Sequence, residues 1–178
     1  MLGDMEQRTR WLILVYQLPR EPSRHRVAVW RKLKTLGALY LQDGAVVLPE
    51  DAVTREQLEW LQLRIREAGG EASLWEAKPA TLAEEKALVE AFRSSRDEAY
   101  ANIISEAERV RRKAEMGGRD KALGDELAKL ERGFREERRR DYFRSPLRKE
   151  AAAALKAARE AVRGSEGSAG ALGSGGGS

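Results

Sequence analysis

The amino-acid sequence predicts an α+β fold, and three patterns support that class. Over residues 11–75, short β-prone runs alternate with helical spacing in the order strand, helix, strand, strand, helix, strand. Residues 79–163 keep a helical period and are rich in Ala, Glu, Arg and Lys, whereas residues 164–178 are mostly Gly, Ser and Ala. The first pattern is typical of a ferredoxin-like βαββαβ domain. We therefore predict that domain over 8–78, a long α-helical region over 79–163 and a disordered tail over 164–178.

The first strand and helix are marked by an apolar run and by helix-boundary residues. The run over 11–16 predicts a strand that is covered on one or both faces. In the helix that follows, Ser23 is the cap or Pro22 lies in the first turn. Gly37 ends this helix, and a short second strand is predicted over 39–41.

The hairpin and the second helix carry local signals of their own. Asp43 and Gly44 form an Asp-Gly pair, which is among the strongest short-range indications of a β-hairpin. Its second strand is predicted over 45–48. Thr54, with Gln57 three residues later, predicts a capping box at the start of the second helix.

The last strand of the domain is predicted over 72–75. Right-handed crossovers then place strands one and three side by side in the centre of an antiparallel sheet, with both helices on one face. The other face needs a cover, which either the helical region or a second chain could supply.

The helical region divides into three segments. Thr81 and Glu84 predict a capping box at the start of a long amphipathic helix. Its apolar stripe stops before Gly117, and Asp120 can start a second helix that pairs with the first as a helical hairpin. Ser145 and Pro146 cap an alanine-rich third helix that ends at Gly164.

Composition excludes several classes of function. The chain has 178 residues, no cysteine and a single histidine, His25, which excludes disulfides, thiolate metal sites and multi-histidine sites within one chain. Walker, dinucleotide-binding and nucleophile-elbow motifs are absent, so we predict no catalytic residue, metal ligand or cofactor. No apolar run approaches the ~18 residues of a membrane helix, and no secretion signal is visible. We expect a cytoplasmic protein that does not bind membranes.

The four tryptophans fall one in each major element of the first domain. We interpret them as parts of a packed core. They are Trp11, Trp30, Trp60 and Trp75.

The strongest candidate for binding is a basic cluster after the first strand. The net charge is only +4 and the isoelectric point about 9.5, so any anionic partner must be bound by local clustering of cations. A DNA phosphate or an oxyanion such as chromate would suit this cluster, although a solvated helix face would explain it too. The candidate DNA contacts are Arg20, Arg24, Arg26, Arg31, Lys32 and Lys34. The candidate oxyanion contacts are Arg20, Arg24 and His25.

A second basic run, Arg138, Arg139 and Arg140, lies before the aromatic pair Tyr142 and Phe143. Such a run can bind phosphates while its aromatic side chains stack on bases. Because carboxylates interleave with these arginines, salt bridges within a helix pair are the alternative interpretation.

The chain also resembles a known family. The stretches 10–23, 26–34, 36–44 and 67–72 are similar to the N-terminal domain of the ChrB chromate-resistance proteins, and the likeness extends over about residues 8–160. The resemblance implies a chromate-responsive transcriptional regulator acting at the promoter of a chromate efflux transporter. Many members carry a second, C-terminal domain, so sensing attributed to that domain does not carry over.

A more distant likeness is to the ferredoxin-like CRISPR-associated nuclease subunits and to a domain of phenylacetate-type repressors. It implies a dimer that forms through the sheet. In the nucleases a metal-binding Asp follows the first strand, whereas this chain has Gln17. A neutral amide is a poor ligand for magnesium, so the nuclease activity is not expected here.

The leading hypothesis is a dimeric, non-enzymatic regulator that binds the operator of a chromate-resistance operon and responds to chromate. One alternative is a metal-dependent nuclease of the ferredoxin-like class. Another is an accessory subunit whose helices over 81–116 and 119–141 dock on a protein partner.

Overall fold

A computed structural model describes the backbone of residues 9–117 and 121–170, with side chains over 9–117 and 122–165. The chain forms two compact units, Met1–Ala91 and Phe92–Ser178, and the division between them falls inside the third helix. The elements of the described residues are β1 (Trp11–Gln17), α1 (Ser23–Leu36), β2 (Leu39–Gln42), β3 (Ala45–Pro49), α2 (Ala52–Glu67), β4 (Glu71–Ala77), α3 (Leu82–Glu115), α4 (Lys121–Arg139) and α5 (Leu147–Gly170).

The first unit contains a four-stranded antiparallel sheet in the order β2-β3-β1-β4. This order and the two crossover helices confirm the predicted α+β class and the βαββαβ arrangement. Leu12 pairs with Leu48 and Leu14 pairs with Val46, and all four side chains are buried. Helices α1 and α2 contribute further buried side chains, namely Val29, Leu33, Leu58, Leu61 and Ile65.

The predicted caps of the first two helices are wrong by a few residues. Pro22 is the N-cap of α1, with extended backbone and no side-chain hydrogen bond, while Ser23 is already helical. Asp51 caps α2: its carboxylate accepts from the Thr54 N–H at 2.7 Å, and the Thr54 hydroxyl accepts from the Asp51 N–H at 2.9 Å. Thr54 is therefore the N3 residue of the capping box and Asp51 is its N-cap, because the Asp51 carboxylate supplies a strong acceptor one turn earlier.

The predicted capping box of α3 is confirmed. The Glu84 carboxylate accepts from the Thr81 N–H at 2.9 Å, and the Thr81 hydroxyl accepts from the Glu84 N–H at 3.2 Å. Beyond this box, the first turns of α3 line an apolar groove of about 590 Å³ with the sheet face that carries Trp11, Ile13 and Val47. The start of the helical region thus lines the sheet face for which the sequence required a cover.

The second unit is a cluster of three helices. Side chains of α3, α4 and α5 share one apolar core, in which Tyr100, Val110, Ala151 and Ala158 are completely buried. Helices α3 and α4 run antiparallel as a helical hairpin: Arg109 contacts Glu126 at 3.0 Å, while the earlier Tyr100 on α3 contacts the later Phe134 on α4, with ring centres 5.7 Å apart. Ser145 caps α5, since its hydroxyl accepts from the Leu147 N–H at 3.2 Å.

Helix α5 is longer than predicted. It runs to Gly170 instead of ending at Gly164, so the disordered tail predicted from residue 164 is wrong over 164–170. Each glycine inside a helix costs about 1 kcal/mol relative to alanine, and this cost does not stop α5 at Gly164 or Gly167. The predicted start of α4 at Asp120 and the rest of the predicted tail lie outside the described residues.

Candidate functional site

The β1–α1 cleft is a depression of about 1040 Å³ at the carboxyl end of β1. We define it by its polar and charged lining, which comes from the end of β1, the following loop, the first turns of α1 and the β2–β3 hairpin. These residues are Tyr16, Gln17, Arg20, Ser23, Arg26, Tyr40 and Asp43. Val27 and Trp30 add an apolar wall from α1.

The hairpin turn closes the cleft because it docks on the end of β1. The Tyr16 N–H donates to the Gly44 carbonyl at 2.7 Å. Gly44 has a φ of +74°, and a Cβ on it would lie 2.5 Å from the Tyr16 carbonyl oxygen. Only glycine allows this conformation and this approach without strain, so the Asp-Gly pair fixes Tyr40 and Asp43 beside Tyr16.

Two tyrosine hydroxyls meet inside the cleft. The hydroxyl oxygens of Tyr16 and Tyr40 are 3.3 Å apart, close enough for a hydrogen bond. Burial raises the pKa of Tyr16 well above its usual range, and the contact with Tyr40 raises this pKa further. The Tyr16 phenol therefore remains protonated and able to donate a hydrogen bond at all physiological pH values.

The arginines of the loop and of α1 are not bound to carboxylates. Within the described part of the chain, Arg20, Arg24, Arg26 and Arg31 form no ion pair, and all four are exposed. The cleft brings together Arg20 and Arg26. Arg24 and Arg31 are seven positions apart, which places them on one face of α1.

The three predicted oxyanion contacts do not meet in one place. Arg20 lines the cleft, whereas the lining does not include Arg24 or His25, and the His25 side chain is half-buried. The sequence did not predict that Tyr16, Ser23 and Tyr40 line this cleft. A signal was present, because both tyrosines adjoin the predicted ends of strands that the Asp-Gly hairpin brings together.

The two lysines of the predicted DNA set lie near exposed tryptophans. The Lys34 ammonium is 4.9 Å from the centre of the Trp30 ring, and the Lys32 ammonium is 5.5 Å from that of Trp60. Arg64 lies on the same Trp60 ring at 5.2 Å. These are cation–π distances, so both lysines are held at the surface beside aromatic rings.

The interpretation of the tryptophans as core is wrong for three of them. Trp11 is buried, but Trp30, Trp60 and Trp75 are 49%, 47% and 59% exposed. The presence of one tryptophan in each element does not determine which face of that element the ring lies on. Trp30 and Trp60 are instead covered in part by cations, and Trp75 lies in the outer strand β4.

The arginines of the second basic run, Arg138, Arg139 and Arg140, differ from those of α1 in their contacts. Arg140 pairs with Glu137, which also pairs with Arg96, and both Arg96 and Glu137 are largely buried. Arg138 lies 5.9 Å from the centre of the Phe134 ring, while Arg139 is exposed. One of the three predicted arginines, Arg140, is therefore engaged in a buried ion pair within its own unit.

Two further findings concern the described residues alone. Over 9–117 and 121–170, no group of three or more His, Asp or Glu side chains is arranged to hold a metal ion. In the same ranges, every helix is too short or too polar to cross a membrane.

Comparison with known proteins identifies one family. The family model described as Protein ChrB, N-terminal, matches residues 26–166. A curated relative named Protein ChrB, from Cupriavidus metallidurans, is 45% identical over 53 residues, which are 30% of this chain and 16% of that protein. The match thus spans only a small part of the relative's length. No solved structure matches the chain.

Proposed function

This chain belongs to the ChrB N-terminal domain family, and we propose that it is a chromate-responsive transcriptional regulator. In this proposal it binds operator DNA of a chromate-resistance operon through the cations of the loop after β1 and of α1. The proposal joins the family membership to the chemistry of that surface.

The observation that carries the proposal is the unpaired state of the loop and α1 arginines. Arg20, Arg24, Arg26 and Arg31 are exposed and form no ion pair within the described residues. A guanidinium without a carboxylate partner can donate two parallel hydrogen bonds to a phosphate. Phosphate contacts of this kind supply most of the affinity of non-specific DNA binding and a large share of specific binding.

The lysines beside Trp30 and Trp60 extend this surface. The Lys32 ammonium lies 5.5 Å from the centre of the Trp60 ring, and the Lys34 ammonium lies 4.9 Å from that of Trp30. Both lie at the exposed side of the helix layer. A positively charged strip along α1 can follow a phosphate backbone. In the second basic run, Arg140 is already paired with Glu137, so we assign the main contact to α1 and a secondary one to Arg138 and Arg139.

The proposal includes a homodimer, a cytoplasmic location and no enzymatic activity. An apolar groove of about 590 Å³ on the sheet and an exposed Trp75 support association through the sheet. Gln17 supports the absence of nuclease activity, because a neutral amide is a poor magnesium ligand. Magnesium-dependent digestion of DNA by the purified protein would contradict the non-enzymatic assignment.

The test is a gel-shift titration of DNA from upstream of a chromate-resistance operon, at low salt, with and without chromate. We expect a shifted band that weakens when chromate is added. Replacing Arg24, Arg26, Arg31 and Lys32 with Ala should reduce the slope of log K against log salt by about 0.9 for each lost phosphate contact. Absence of any shift at low salt would refute DNA binding.

A further inference from the structure

The β1–α1 cleft has the donor set of an anion site. Arg20 and Arg26 supply two permanently charged guanidinium groups, and neither forms an ion pair within the described residues. Ser23, Gln17 and the two tyrosine hydroxyls add neutral donors on the same lining. Charge-assisted and neutral donors that converge from several sides are suited to an acceptor with oxygens on all sides.

The hydroxyl pair fixes the direction of the neutral donors. The hydroxyl oxygens of Tyr16 and Tyr40 are 3.3 Å apart, so one phenol donates to the other and the second keeps its proton for a ligand. The hydrogen bond from the Tyr16 N–H to the Gly44 carbonyl fixes the hairpin backbone beside the end of β1, where Tyr16 and Tyr40 lie. The donors are therefore positioned before a ligand arrives, which lowers the entropic cost of binding.

One residue of the lining opposes an anion. Asp43 carries a negative charge at the hairpin turn, while Arg20 and Arg26 carry two positive charges. The lining keeps an excess of positive charge. Asp43 sets how tightly the cleft holds a ligand and gives a substitution that should strengthen binding.

We propose that the β1–α1 cleft binds a tetrahedral oxyanion through Arg20 and Arg26, and that this oxyanion competes with DNA phosphate for the same two guanidinium groups. The competition rests on the proposed function, because it requires DNA to contact those arginines. The volume of about 1040 Å³ and the exposed guanidinium groups leave the site open to both ligands. Release of DNA then needs no transmitted conformational change, since each arginine can hold only one of the two anions at full strength.

Isothermal titration calorimetry with sodium chromate, sodium sulfate and sodium nitrate tests the site at constant ionic strength. We expect saturable binding of the two tetrahedral dianions and weak or no binding of nitrate, which is planar and singly charged. A higher affinity for chromate than for sulfate would identify chromate as the ligand, whereas equal affinities would identify tetrahedral dianions as a class. No saturable binding of either dianion would overturn the proposal.

Three substitutions assign the binding to the cleft. Arg26→Ala should weaken dianion binding about tenfold or more, because a charged hydrogen bond is lost. Asp43→Asn should strengthen it several-fold, and an Asn-Gly turn preserves the hairpin. Arg24→Ala is the matched control: it removes the same charge from the same helix outside the cleft and should leave dianion affinity unchanged. Equal effects of Arg24→Ala and Arg26→Ala would overturn the assignment to the cleft.

Competition is tested by fluorescence anisotropy with a labelled duplex, at constant ionic strength, with chromate or sulfate as competitor. The dianion that binds in calorimetry should lower DNA affinity in the wild type and in Arg24→Ala, and have a much smaller effect in Arg26→Ala. Simultaneous binding of both ligands at undiminished affinity would overturn the competition. A protein that binds no DNA would refute the proposed function and the competition, while the calorimetry would decide the oxyanion site independently.

Discussion

Helix α1 and the polar cluster around Glu137 in the second unit both contain several arginines, but these arginines have different partners. On α1, Arg24, Arg26 and Arg31 form no ion pair within the described residues. In the second unit, the largely buried Glu137 pairs with both Arg96 and Arg140. The difference lies in the carboxylates that surround the arginines and not in the number of arginines.

This comparison shows why a basic run in a sequence does not by itself predict a binding surface. Asp141 is buried and accepts hydrogen bonds from the Tyr100 hydroxyl at 3.1 Å and from the Ser145 N–H at 2.9 Å. Its other neighbour is Arg148, at 4.0 Å. These polar groups connect α3, the segment that follows α4, and α5, so part of the charge of the second unit stabilises its fold.

The largest expected contrast is in stability. Asp141→Ala should lower the free energy of unfolding of the second unit by about 3 kcal/mol, because buried donors lose their acceptor. Arg24→Ala, at an exposed position without an ion pair, should change stability by about 0.5 kcal/mol or less. Chemical denaturation followed by circular dichroism at 222 nm measures both. A loss for Arg24→Ala as large as that for Asp141→Ala would contradict the comparison.

A second contrast sets two glycines with positive φ against each other. Gly44 has a φ of +74° and would place a Cβ 2.5 Å from the Tyr16 carbonyl oxygen, whereas Gly117 has a φ of +84° and nothing within 4 Å. We expect Gly44→Ala to cost about 2–3 kcal/mol and Gly117→Ala about 1 kcal/mol.

The four tryptophans all lie in the first unit, so their fluorescence reports the unfolding of the unit that contains Gly44. Circular dichroism follows the Gly117 variant. Equal costs for the two substitutions would show that the turn does not dock on β1 as closely as described.

The smallest expected effect concerns alkaline pH. Burial raises the pKa of Tyr16 in the first unit and that of Tyr100 in the second above the ordinary value of 10.0. The neighbouring Tyr40 raises the pKa of Tyr16 further, and Asp141 does the same for Tyr100. A raised folded-state pKa gives stability that is complete below the unfolded-state pKa and is lost as pH rises beyond it.

Stability should therefore fall above about pH 10, and Tyr16→Phe and Tyr100→Phe should each make that fall less steep. Denaturation midpoints at several pH values, with tyrosinate absorbance at 295 nm, measure it. Identical pH profiles for the wild type and both variants would contradict the raised pKa values.

Much of the first unit could be predicted because its signals are local. Alternating apolar runs, the Asp-Gly pair and the stop at Gly37 together define the order of the sheet and both helices. The cap of α2 was misplaced because Asp51 and Thr54 are both capable cap residues three positions apart, and the cap of α1 was misplaced because Pro22 serves as its N-cap without any side-chain hydrogen bond. The end of α5 was misplaced because the glycines at 164 and 167 do not stop the helix, which continues to Gly170.

The site could be predicted only in part. A basic run is visible in the sequence, and its arginines lie where the loop and α1 place them. The roles of Tyr16 and Tyr40 depend on strand register, and the exposure of Trp30 and Trp60 depends on which face of each helix packs on the sheet. Neither property is encoded within a short window of residues.

The central claim is that the arginines of α1 are available to anions, and one measurement tests it most directly. The salt dependence of DNA binding is compared between Arg24/Arg26/Arg31→Ala and the equally charged Arg132/Arg135/Arg139→Ala, which changes exposed residues of α4. We predict that the α1 variant lowers the slope of log K against log salt by about 0.9 for each lost contact, while the α4 variant, which removes the secondary contact Arg139, lowers the slope less. An unchanged slope for the α1 variant and a reduced one for the α4 variant would contradict the account.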